Sequence, residues 1–196
     1  MSAIKDGRYA IEVGGRERHL LFSLNALDEI QDKFGGYDKL AEVFNQDNKD
    51  WIKNTKWLLA LLINEGAEED EPEVTEKQVG RWIHTGNIIE VQSAILKAFA
   101  VGTNGDNEPT RHAGRKRRQS RHGKRGERAG ILDTARLLYI GVTMLRYPER
   151  EVWKMTPYKI NTLFGYHKEY NPQQFRHTDQ AEPEDADAID IALGGF

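Results

Sequence analysis

Residues 111–128 read RHAGRKRRQSRHGKRGER, with seven Arg and two Lys against one Glu. The stretch sits inside a Gly-rich segment, 101–130, that carries almost no apolar side chains. Such a segment cannot offset the ~1–2 kcal/mol per residue lost in ordering a backbone. It therefore limits what the 196-residue chain can build. The expected organisation is an α-rich N-terminal domain at 1–100, a flexible basic linker at 101–130, a small helical C-terminal module at 131–170 and an acidic disordered tail at 171–196. The fold class is mainly α, with a small N-terminal β-hairpin.

Charge is segregated in the same way. Residues 1–100 hold 12 basic and 18 acidic side chains, a net of −6. Residues 101–130 hold 9 and 3, a net of +6, and residues 131–196 hold 7 and 10, a net of −3. A basic block between two acidic parts can neutralise its own neighbours as readily as a foreign polyanion. Cysteine is absent, which excludes disulfides, thiolate metal sites and a Cys nucleophile. The opening MSAIKDGRYAIEV lacks the basic-then-apolar order of a signal peptide. The longest apolar run, Trp57 to Ile63, falls well short of the roughly 20 residues that span a bilayer. The expectation is a soluble, cytoplasmic protein.

Periodicity places the elements. RYAIEV, Gly14-Gly15 and RERHLLFSL predict a hairpin, with Tyr9, Ile11 and Val13 on one side and the positive φ angles of a tight turn supplied by the two glycines. Leu24, Leu27, Ile30 and Phe34 follow helical spacing up to Gly35-Gly36, and Ser23 or Asn25 caps that helix. A short helix is expected over Tyr37–Phe44. A longer one follows Asp50, burying Trp51, Thr55, Leu58, Leu59, Leu62 and Ile63 and ending at Gly66. Thr75 with Gln78 has capping-box spacing. A further helix runs over roughly 86–100, with Ile88, Val91, Ile95 and Phe99 in register. Beyond the linker, Asp133 caps a helix carrying Leu137, Leu138, Ile140, Met144 and Leu145. Pro148 begins a turn of helix ending near Trp153. Thr156-Pro157 is an N-cap followed by a first-turn proline, and Ile160, Leu163, Phe164 and His167 lie along the helix it opens. Ile189, Ile191 and Leu193 could form a small docking element in the tail.

No motif of catalysis emerges. The chain has no Gly-rich phosphate loop, no GxSxG elbow and no HExxH. His19, His84 and His167 are single and far apart, whereas a metal site needs several converging ligands. Glu68, Glu69, Asp70 and Glu71 lack the ligand and glycine spacing of a calcium loop and read as a solvated turn. No catalytic, cofactor-binding or metal-binding residue is expected, and no enzymatic activity. Trp57, Trp82 and Trp153 lie on or beside apolar stripes and read first as core residues.

The order of segments resembles the phage tail assembly chaperones of siphophage-type, long-tailed phages. RHLLFSLNALDEIQDKFGG is similar to the family's opening, an apolar strand running into a short helix ended by glycine. WLLALLINEG with VTEKQVGRWI resembles its next two helices. LLYIGVTMLRYPEREVWKMTPYKINTLF resembles its C-terminal extension, most specifically in Trp153, Met155, Thr156 and Pro157. The resemblance spans most of 8–100 and 131–170 and leaves out the acidic tail. It implies a non-enzymatic protein of the host cytoplasm, absent from the mature virion. Such a protein binds and solubilises the tape measure protein, as a homo-oligomer along it, while an extension joined by translational frameshift recruits the major tail protein. No cofactor, nucleic acid or membrane is implied.

Two readings stay open. A module of ~40 residues keeps a large share of its surface exposed, so its apolar side chains must face a partner or the N-terminal domain. Trp153 and Met155, with Tyr139 and Phe164, are the candidate partner anchors, because aromatic and Met side chains are enriched at interface centres. Trp153 could equally be the module's own core. In the basic linker, Arg115, Lys116, Arg117, Arg118, Arg121, Lys124 and Arg125 could serve a tether, an acidic protein surface, or nucleic acid through phosphate contacts. The stretch lacks the aromatic side chains that stack on bases, and no reading head accompanies it. The tether is the leading reading, and a small nucleic-acid-binding regulator is the functional alternative.

Overall fold

The computed structural model describes residues 6–36, 39–105 and 132–175. It is mainly helical, with one two-stranded antiparallel sheet at its N-terminal end. Strands β1 (Tyr9–Val13) and β2 (Arg16–Leu20) pair with Tyr9 opposite Leu20 and Val13 opposite Arg16. Gly14 and Gly15 turn at φ +66 and +78, a conformation that costs other residues a clash at Cβ. Gly14 has a second task. A Cβ there would stand 2.6 Å from the Trp82 ring, so the indole packs flat beneath the turn.

Helix α1 (Leu24–Phe34) begins at Ser23, whose Oγ accepts from the Ala26 N–H at 3.0 Å, and stops at Gly35 in the left-handed conformation. Of the two expected caps, Ser23 is the one used. A single turn, α2 (Leu40–Val43), follows; Tyr37 and Asp38 of the expected short helix lie outside the described residues. Helix α3 (Trp51–Gly66) is the central element and buries Thr55, Leu58, Leu59, Leu62 and Ile63. Helix α4 (Glu76–Trp82) carries the full capping box between Thr75 and Gln78. Helix α5 (Ile88–Asn104) overruns the expected boundary. Residues 101–104 were expected in the linker. They are helical because Gly102 packs against Phe22 and the apolar face continues through it. These elements close one core around Phe22, Leu58, Leu59, Leu62, Val79 and Ile95.

The C-terminal helices are α6 (Thr134–Tyr139), α7 (Glu149–Trp153), α8 (Pro157–Tyr170) and α9 (Pro172–Phe175). Asp133 and Thr156 cap α6 and α8 as their spacing predicts. Two expectations need correction. The helix expected to run straight through Leu145 changes after Tyr139 into a π turn, Ile140–Met144, where Leu145 N–H donates to the Ile140 carbonyl at 2.9 Å. The tail expected from 171 begins with the helical turn α9, because Phe175 packs edge-on against Phe164, with centroids 6.0 Å apart. Of the two covers expected for the module's apolar side chains, a partner or the N-terminal domain, the second is seen. Leu137, Ile140, Val152, Met155 and Ile160 form a second cluster, and its sixth buried member is Leu24 from α1. The module docks on the N-terminal domain.

Several contacts fix that docking. The Leu24 N–H donates to the Met155 carbonyl at 2.9 Å. Gln31 of α1 donates to Thr134 Oγ1 at 3.3 Å, and its Oε1 accepts from the Leu132 N–H. Lys154 pairs with Glu69 at 3.2 Å, and α8 lies against α5. The basic residues Arg115, Lys116, Arg117, Arg118, Arg121, Lys124 and Arg125, and Ile189, Ile191 and Leu193 of the tail, lie outside the described residues. Among the described residues no helix is long and apolar enough to cross a membrane.

Candidate functional site: a charged cleft beside the docking seam

The docking leaves a cleft of 1040 Å³ along one side of the seam. One wall is the start of the hairpin, with Asp6 and Arg8. A second is the end of α3 and the loop after it, with Asn64, Glu65, Glu68, Glu69 and Asp70. The third is α7 and α8, which supply Arg150, Trp153, Lys154 and Lys159. The loop carrying Glu68 to Asp70 is solvated, as its composition suggests, and it also forms a wall opposite basic side chains.

The charges are partly matched. Arg8 bonds to Glu68 and lies 3.3 Å from Asp6. The hydrogen bond and positive charge of Arg8 hold the Glu68 carboxyl below its ordinary value. Glu65 is fixed by two donors from the start of α1, Ser23 Oγ and, at 2.7 Å, Asn25 Nδ2. Ser23 thus caps α1 and donates into the cleft wall. Among the described residues Arg150 and Lys159 make no ion pair. Near the cleft Glu29 is pushed up, first by desolvation and then by the charge of Glu65.

Trp153 gives the cleft its apolar face. The indole is half-buried, packs against the seam cluster, and donates its Nε1–H to Glu149 at 3.2 Å. Of the four expected anchors it is the one that lines the cleft. Met155 is buried beneath the seam at 6% exposure, so its side chain faces the chain's own Leu24 cluster and reaches no partner while the module is docked. Phe164 is half-buried under Phe175, with Lys168 4.6 Å over its ring. Tyr139 is 58% exposed and lies outside the cleft. The anchors therefore do not form a single patch around Trp153.

Among the described residues, no histidine and no hydroxyl side chain lines the cleft. Among the described residues no group of three His, Asp or Glu could hold a metal ion. The arrangement is an aromatic face flanked by both signs of charge.

Arg18 is a site residue in neither reading, yet it departs from its usual place. It points from β2 into the hairpin's packed face at 9% exposure, with its guanidinium 4.4 Å from the Trp82 ring centroid. Its Nε and Nη1 have no hydrogen-bond partner among the described residues. Burial, then the charge of Arg16, lowers its pKa.

No family model, no curated protein and no solved structure matches the chain.

Proposed function

We propose that the protein is a phage tail assembly chaperone that works through protein surfaces: it binds and solubilises the tape measure protein and recruits the major tail protein. The resemblance of 8–100 and 131–170 motivates the proposal. The observation that favours it is the placement of Trp153, the most specific residue of that resemblance, on the wall of a cleft suited to polypeptide recognition. The docking seam adds a second reason. In a shorter product lacking the C-terminal module, the Leu24 side chain would lose its cover and offer an apolar face to the long helical tape measure protein. In the joined product the module covers that face and presents Trp153 instead. No step of this role needs a cofactor or bond chemistry.

The test is Trp153→Ala in the full chain, with binding to the major tail protein and thermal unfolding measured together. A central aromatic anchor is worth ~2 kcal/mol or more of binding free energy, about a thirtyfold loss of affinity. The expected result is that loss in a variant that still folds cooperatively, with a melting point lowered because the indole also packs on the seam cluster. A folded variant that binds with wild-type affinity eliminates the Trp153 anchor. The alternative, a nucleic-acid-binding regulator, rests on the nine positive charges of 111–128. Binding to RNA or duplex DNA at physiological salt, with a steep salt dependence abolished by deleting 111–128, would replace the chaperone reading.

A further inference from the structure

A second, smaller pocket of 460 Å³ opens on the C-terminal module between the π turn and helices α8 and α9. Its lining contrasts with the large cleft. Thr143, Met144 and Arg146 come from the π turn and the residues after it, and His167, Asn171 and Gln174 come from α8 and α9. Among the described residues the lining contains one permanent cation and no carboxylate.

Arg146 is held there by a costly backbone. Its φ of 60° is the one positive value at a non-glycine residue among those described. It stands at the position that ends the π turn, where the Tyr147 N–H reaches back to the Gly141 carbonyl at 3.1 Å. Glycine is the usual residue at such a left-handed stop, because a Cβ disfavours it. Left-handed non-glycine residues and π turns both concentrate at functional sites. The guanidinium has no carboxylate partner among the described residues. Pairing among the described residues therefore does not explain an arginine at this position.

Two of the remaining polar side chains hold one another in place. Asn171 Nδ2 donates to the His167 carbonyl at 2.9 Å and approaches His167 Nδ1 at 3.4 Å. His167 is held edge-on against Phe175, with centroids 5.9 Å apart. Gln174 adds a side-chain amide at the rim. Tyr166 and Tyr170, 48% and 83% exposed, follow one another at one-turn spacing on α8 beside His167 and Asn171.

We infer that this pocket binds a carboxylate group presented by an acidic segment of a protein partner. One guanidinium among uncharged polar side chains balances one negative charge; a dianionic phosphate calls for more cations. Exposed tyrosines beside the pocket suit a polypeptide, since Tyr and Arg are the side chains over-represented where binding energy concentrates. The inference is independent of the chaperone reading and of Trp153, which lies in the other cleft.

The full chain is the test object, followed by NMR through the His167 ring and the Gln174 side-chain amide, at fixed pH and ionic strength. The probes are acetate, a blocked Ala-Glu-Ala peptide, its Ala-Ala-Ala counterpart and inorganic phosphate. Acetate and the Glu peptide should shift both groups saturably, and the Ala peptide should leave them in place. Arg146→Gly should abolish the shifts while melting at a higher temperature than wild type, because glycine relieves the backbone that arginine strains. Arg146→Lys, which keeps the charge, should retain part of the binding. Unshifted resonances in acetate, or undiminished binding by Arg146→Gly, would overturn the site. Tighter binding of phosphate than of acetate would overturn the carboxylate assignment.

Discussion

Leu24→Ala tests whether the two halves of the chain are one folded body. Leu24 opens α1 of the N-terminal domain, yet its side chain is fully buried among Leu137, Ile140, Val152, Met155 and Ile160 of the C-terminal helices. Removing a buried leucine to alanine costs ~2–5 kcal/mol, the loss of transfer free energy plus the cavity left behind. The half-buried rim of this cluster, including Leu138, Met144 and Trp153, permits some collapse, which favours a value of about 3 kcal/mol. For a chain of this size that lowers the melting temperature by roughly 6–12 °C. Urea or thermal unfolding followed by tryptophan fluorescence reads both halves, since Trp51, Trp57 and Trp82 report on one and Trp153 on the other. Ile89→Ala, at a position 67% exposed, is the control and should change stability by about 0.5 kcal/mol or less. Hydrogen exchange gives an independent check, because the Leu24 N–H is bonded to the Met155 carbonyl and should be protected. An undocked module would leave Leu24 on the surface. A loss below about 1 kcal/mol together with rapid exchange at the Leu24 amide would therefore refute the docking.

Three further outcomes follow from single sites. Gly141→Ala should destabilise by about 1–3 kcal/mol, because the added Cβ would stand 2.5 Å from a Val152 methyl in a packed seam; an unchanged urea midpoint would show that α7 is not seated there. Arg18→Met should match or exceed wild-type stability, since Met keeps the contact with Trp82 and removes buried N–H groups that lack acceptors; a clear loss in calorimetry would show that the cation–π contact outweighs desolvation. Glu29→Gln should stabilise at neutral pH. A carboxyl whose folded pKa is raised disfavours the folded state when ionised, so the advantage of Gln should shrink as pH falls through the carboxylate range. An advantage that grows on acidification would contradict that sign.

The elements themselves were legible because their causes are local. The Gly14-Gly15 turn, the caps at Ser23, Asp133 and Thr156, the capping box at Thr75 and the stripe of α3 each depend on residues within one or two turns of one another. Trp153 was legible as an apolar side chain of uncertain duty, since a stripe position does not say whether the chain or a partner covers it. Tertiary structure decided the rest through contacts between residues distant in sequence. Leu24 fits the α1 periodicity as well as Leu27 does, and only the arrival of the C-terminal helices assigns it to the second cluster. The spacing of Ile140, Met144 and Leu145 suits an α-helix or a π turn, and packing of Gly141 on Val152 accompanies the wider one. Arg18 follows the alternation of β2 to the inward face, but its burial needs Trp82, 64 positions further on, to close over it. The charged cleft and the pocket at Arg146 have no sequence signature at all, because each is a space between elements. Its shape is fixed by how helices pack, and its charge by side chains that have no fixed spacing along the chain.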